Sequence, residues 1–149
     1  TYTPRKWEYL KVIRPYLIFG NDWLAGVPTL AASRTAPHIE RAVYLNDYVQ
    51  VLNQAGVLVN IHHGPVGLGR RFFEFIACGP TLTDRVPGVE EVLGDVAAMV
   101  SFKTPQQGKE LMEEMLRHPQ VLADAWALER KAIAPYTYEA AAKKVLEGL

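Results

Sequence analysis

Val57–Asp84 reads V-L-V-N-I-H-H-G-P-V-G-L-G-R-R-F-F-E-F-I-A-C-G-P-T-L-T-D, and this stretch decides the fold. The apolar run Val57–Ile61 predicts a buried strand. A loop with Gly64, Gly67 and Gly69 follows. An apolar helix then begins at Arg70 and carries one acid, Glu74. Gly79 and Pro80 stop it, and a second strand, Thr81–Thr83, ends at Asp84. Strand, glycine loop, helix and strand make a βαβ unit with a polar loop at the carboxyl end of its first strand. Open α/β sheets take their ligands at that end. Backbone N–H groups at a helix start beside glycines suit a phosphate.

Working outward, Trp7–Arg14 predicts a short helix and Tyr16–Phe19 a strand, with Gly20-Asn21-Asp22 as its turn. Leu24–Pro37 lacks periodicity and reads as loop, and Ala42–Leu45 reads as a short strand. A helix capped by Asn46 or Asp47 runs to Asn53 and is closed by Gly56. Past Asp84, the sequence predicts a short helix over Gly88–Leu93 and a strand over Ala97–Phe102. Thr104 caps a helix from Pro105 to about Arg117, with proline at its favoured first position. Pro119 starts another helix, to about Ile133, and a last one spans about Tyr138 to Leu146. Strands alternating with helices imply an α/β, Rossmann-like open parallel sheet with helices on both faces and a helical C-terminal tail.

Composition narrows the function classes. The 149 residues are expected to form a single domain, residues 1–149, large enough for a sizeable core. Lys+Arg and Asp+Glu both number 16, so the net charge is zero. That balance argues against a nucleic-acid partner, which favours a basic stripe. The single Cys78 forms no internal disulfide, which fits a reducing, cytoplasmic compartment. No apolar run approaches a membrane span, and the first residues do not read as a signal peptide. The chain begins with Thr1 rather than methionine, so a piece of a longer protein is expected.

Several residues carry chemistry in one reading and plain structure in another. Glu74 is one acid among Phe72, Phe73, Phe75 and Ile76, on a helix expected to be buried; its bland role is an i,i+4 ion pair with Arg70. Arg70 and Arg71 oppose the helix dipole, a conflict that an anion would remove. His62 and His63 follow a strand with no acid or thiol at metal-ligand spacing, so no metal is expected. One of them is either a phosphate or sugar contact or a satisfied structural histidine. Gly67 and Gly69 let backbone approach a ligand, without forming a dinucleotide fingerprint or a P-loop. Thr83 and Asp84 contact a ligand or cap a turn. Glu90 and Glu91 satisfy the next helix's dipole or flank the site. Cys78 reads as a small buried hydrophobe rather than a nucleophile.

The chain resembles the C-terminal half of GT-B glycosyltransferases, in the group-1, spore-maturation (CgeB-type) branch. The matching pieces occur in order: Gly20-Asn21-Asp22-Trp23, Tyr48, Val57–Ile61, Arg71-Phe72-Phe73-Glu74, Ala77-Cys78-Gly79 and Leu82-Thr83-Asp84. Pro87–Glu91, Val100-Ser101-Phe102 and Tyr136-Thr137-Tyr138 continue the series. The resemblance covers roughly Leu17–Leu146. It implies a domain that binds a nucleoside diphosphate sugar, with no other cofactor, and passes the sugar to an acceptor hydroxyl, metal-independently and with retention. It makes Glu74 the ribose anchor and puts Arg71, Arg70, Gly69, His62, Thr83 and Asp84 around the donor. It assigns no catalytic residue. It implies an N-terminal acceptor domain in the full-length protein, and an isolated chain without activity.

Two departures accompany it. Val66 stands where many relatives carry a second acid, and the loop Asn21–Pro28 lacks the usual Arg and Lys for a diphosphate. The alternative function is a non-catalytic nucleotide-binding partner or sensor. A receiver-like signalling domain needs an acidic cluster after its first strand, and Asn21-Asp22 offers a single acid.

Overall fold

The computed structural model describes residues 4–13, 17–19, 38–40, 45–62 and 67–148. Helix α1 (Pro4–Ile13) comes first, followed by strands β1 (Leu17–Phe19) and β2 (His38–Glu40). Helix α2 (Leu45–Gln54) leads to β3 (Leu58–Asn60), α3 (Arg70–Cys78) and β4 (Thr81–Asp84). Then come α4 (Val89–Leu93), a 3-10 turn (Gly94–Val96), α5 (Ala97–Val100) and β5 (Ser101–Phe102). Helices α6 (Pro105–Arg117) and α7 (Pro119–Ile133), a 3-10 turn (Ala134–Tyr136) and α8 (Tyr138–Glu147) complete the chain.

The architecture is α/β and Rossmann-like. Strands β3, β4 and β5 lie parallel in that order, with Asn60 beside Thr83 and Thr83 beside Ser101. β1 and β2 form a separate parallel pair. Parallel neighbours need crossovers, which here are α3 and the α4–α5 segment. Phe72 and Ile76 from α3 meet Leu82, Val89, Val100 and Phe102 in one core, closed by Met115, Ala125 and Ile133 from the later helices. The indole N–H of Trp126 donates to the Ile76 carbonyl at 2.7 Å, tying α7 to the last turn of α3.

Helix α1 joins this core through Ile13, which is fully buried. Gly108 makes room for it: a Cβ there would lie 3.0 Å from both Ile13 and the Phe102 ring. Tyr9 fixes the other end of the contact, donating to the Lys103 carbonyl at 3.1 Å. The N-terminal helix is thereby laid along β5 and α6.

The sequence expectations meet the structure unevenly. Thr104 caps α6 in a full capping box with Gln107, as its position before Pro105 implies. The strand expected over Ala97–Phe102 shrinks to Ser101–Phe102, because Ala97–Val100 is a helical turn whose Ala97 carbonyl accepts from the Ser101 hydroxyl at 2.5 Å. A short apolar run cannot tell the two apart by periodicity. Helix α3 is amphipathic rather than buried all round: Phe72 and Ile76 are buried while Arg70, Arg71 and Ala77 are exposed. Of the strand expected over Ala42–Leu45, Leu45 opens α2, and residues 41–44 lie outside the described residues. So do the expected loop over Leu24–Pro37 and the turn Gly20–Asp22. Strand β2 falls at His38–Glu40, a position without a strand expectation.

One buried acid stands apart from the core. Glu129 on α7 is 1% exposed and accepts from the Thr81 amide at 3.2 Å with Oε2, while Oε1 has no partner among the described residues. Burial raises its pKa to about 8, only partly opposed by the Thr81 bond. A carboxyl raised on folding holds its proton more tightly in the folded state. Its contribution to stability is therefore complete below the unfolded value near 4.5 and is lost as pH climbs to about 8. Urea midpoints of the wild type are expected to fall across that window, and Glu129→Gln, which cannot titrate, is expected to flatten the fall. An unchanged slope in the variant would place the titration elsewhere.

Candidate functional site

The parallel register brings the carboxyl ends of β3 and β4 together, and a buried polar cluster forms there. Asp84 is fully buried. Its Oδ1 accepts from the His62 backbone N–H at 2.9 Å and lies 2.7 Å from the His62 ring Nδ1. Its Oδ2 accepts from the Arg5 guanidinium at 2.5 Å. Buried carboxylates need such partners. His62 is itself buried, and its Nε2 lies 3.3 Å from Asn60 Nδ2, which also donates to the Thr83 hydroxyl at 3.3 Å. With Asp84 accepting at Nδ1 and the Asn60 amide donating at Nε2, the ring carries its hydrogen on Nδ1. Each ring nitrogen of His62 thus has a partner within the cluster.

A second group lies on the open flank of α3. Glu74 Oε1 pairs with Arg70 Nε at 2.6 Å, and its side chain remains 32% exposed. Glu74 Oε2 accepts from the Tyr48 hydroxyl of α2 at 3.2 Å. The i,i+4 ion pair is therefore present, and it is joined by a contact from a neighbouring helix. Burial, then the Glu74 charge, raises the Tyr48 pKa, while Arg71 counters it. The phenol stays a donor throughout the neutral range.

Arg71 links the two groups. It is close enough to Tyr48 to oppose that rise, and close enough to Lys6 of α1 to depress the lysine. Lys6 is 5% exposed. Burial, then the Arg71 charge, lowers its pKa to about 8, against the pull of Asp84. Arg5 pairs with Asp84, and Lys6 feels the charges of both Asp84 and Arg71, in a chain of zero net charge.

The loop into α3 ends openly. Gly69 is the N-cap and supplies no side-chain acceptor to the first-turn amides. A Cβ on Gly69 would meet nothing within 4 Å. Gly67 has φ +73°, a left-handed backbone that suits glycine. His63, Gly64 and Val66 lie outside the described residues. Glu90 is exposed and pairs with Arg85 at 3.6 Å, while Glu91 is exposed in the first turn of α4. Cys78 is half-buried, and burial raises its thiol pKa, against a nucleophilic role. Among the described residues no group of three His, Cys, Asp or Glu could hold a metal ion. No described helix is long and apolar enough to cross a membrane.

A shallow groove of about 760 Å³ lies elsewhere, lined by Arg85, Lys103 and Arg117 but also by Glu110, Glu113 and Glu114. Its charges offset one another.

The sequence singles out seven site residues, and the structure divides them. His62, Thr83 and Asp84 form the buried cluster; Arg70, Arg71 and Glu74 form the open flank; Gly69 sits at the helix start. Arg5, Lys6 and Asn60 are missing from that set, and Tyr48 enters only as a motif match. Arg5 lies 79 positions from Asp84, and no local pattern announces such a contact.

Together these features define an α/β domain with a buried polar cluster at the carboxyl ends of β3 and β4. A family described as glycosyl transferase-like matches residues 5–147, nearly the whole length, and the chain belongs to that family. Comparison with curated proteins and with solved structures gives no match.

Asp84 carries the buried cluster. Replacing it by alanine would leave Arg5 and His62 without their shared acceptor. Asp84→Ala is expected to lower unfolding free energy by about 2–4 kcal/mol, below the full cost of breaking a buried pair because Arg5 is partly exposed. Chemical denaturation checks this, and a loss under about 1 kcal/mol would show that the cluster is not structural.

Proposed function

We propose that this domain binds the nucleoside diphosphate sugar of a glycosyltransferase, in a GT-B-like enzyme of the CgeB type. The observation that carries the reading is Glu74: a carboxylate fixed by two donors yet one-third exposed, beside an uncapped helix start. Glu74 accepts the ribose hydroxyls in charge-assisted bonds. Arg71, Arg70 and the first-turn amides beyond Gly69 face the diphosphate. His62, Thr83 and Asp84 hold the strand ends against which the donor lies.

In this reading the sugar passes to an acceptor hydroxyl with retention, and the nucleoside diphosphate departs. Stabilising the growing charge on that leaving group is the main electrostatic requirement. Arginine and helix amides meet it without a metal ion. An acceptor-binding domain completes the reaction, because transfer needs both substrates in near-attack geometry, worth about 7–11 kcal/mol of the barrier. The domain alone is then inactive. A reducing cytoplasmic setting suits this chemistry and the lone thiol.

Titration calorimetry with UDP, GDP and ADP tests the site. One of them is expected to bind, and Glu74→Ala is expected to weaken it by about 1–3 kcal/mol, with Glu74→Gln losing less. Unchanged affinity in a folded Glu74→Ala protein would reduce Glu74 to its ion pair with Arg70. In a full-length enzyme, transfer is expected to persist in EDTA; loss of activity on chelation would show that a metal stabilises the leaving group.

A further inference from the structure

Glu74 is held from outside its own helix. The Arg70 pair is local, one turn back along α3. The Tyr48 bond is not: it crosses from α2, 26 residues earlier in the chain. Tyr48 is half-buried and stands one turn before Leu52, which is buried, so this face of α2 is the one turned inward. Each donor takes a different oxygen of the carboxylate. A carboxylate offers about four acceptor positions, so about two remain. A ribose presents two neighbouring hydroxyls, and the remaining positions match that number.

We propose that Tyr48 is a positioning residue, fixing the Glu74 carboxylate so that it selects ribonucleoside over dideoxyribonucleoside diphosphates. The inference rests on the nucleotide reading above and adds to it the residue that sets sugar selectivity. A glutamate anchored by Arg70 alone keeps rotamer freedom, because Arg70 is itself highly exposed. Fixing it in advance removes an ordering cost from binding. The phenol suits this role, since burial and the Glu74 charge both oppose its ionisation and it donates at any neutral pH.

The test is calorimetric, on the full chain. UDP, GDP and ADP are each compared with their 2′,3′-dideoxy counterparts, using wild type, Tyr48→Phe, Glu74→Ala and the double variant, with folding checked by thermal melts. Wild type is expected to prefer the ribose form. Tyr48→Phe is expected to lose about three- to tenfold in affinity for the ribose form and less than about twofold for the dideoxy form. Adding Tyr48→Phe to Glu74→Ala is expected to change nothing further. Equal losses on both ligand forms would make Tyr48 a packing residue, and no loss on either would remove it from the site; both outcomes overturn the inference while the nucleotide reading stands. If wild type binds none of the six, the nucleotide reading fails first and the inference falls with it.

Discussion

The Asp84 carboxylate is the constraint on which the strand ends depend. It is buried, so each oxygen must be matched by a donor. The donors come from two other parts of the chain, His62 beyond β3 and Arg5 on α1. Satisfying one carboxylate therefore fixes where the chain leaves β3 and where α1 lies. The same cluster orients His62 and, through Asn60, the Thr83 hydroxyl. A buried network of this kind specifies one arrangement because partial satisfaction is costly.

The cluster also accounts for the charge pattern above it. Arg5 answers Asp84 directly, and Lys6 follows it into a buried position beside Arg71. Burial, with the like charge of Arg71 adding to it, lowers the Lys6 pKa to about 8. Arg70 and Arg71 stand in the first turn of α3, where the helix dipole disfavours cations, and Glu74 offsets only Arg70 directly.

The central βαβ unit is legible in the sequence because its signals are local. Gly79-Pro80 ends a helix through backbone chemistry, and Thr104 before Pro105 starts one through a cap; both fall within a residue of the observed boundaries. Ala97–Val100 defeats the same approach, since apolar residues without clear period suit a helical turn as well as a strand. Site residues divide along the same line. Glu74 is visible as one acid on an apolar helix, and Arg70 as its i,i+4 partner. Arg5, Lys6 and Asn60 act through contacts set by tertiary packing, which no window of sequence displays. Glu129 carries a readable signal: it falls on the stripe Leu122, Ala125, Trp126 and Ile133, an acid on the apolar face of α7.

Asp84 and Glu74, the two acids of the central unit, end with opposite roles. Both are held by arginine. Burial separates them. Asp84 has its oxygens occupied in the interior, so its interactions serve geometry, and changing it disturbs α1 and β3 together. Glu74 is held by one helix neighbour and one tyrosine while a third of its side chain faces outward, so acceptor capacity remains. Rigid support below and spare hydrogen-bonding capacity above are what a preorganised binding site requires. Arg71 acts on both neighbourhoods, opposing the rise of the Tyr48 phenol and adding to the fall of the Lys6 ammonium.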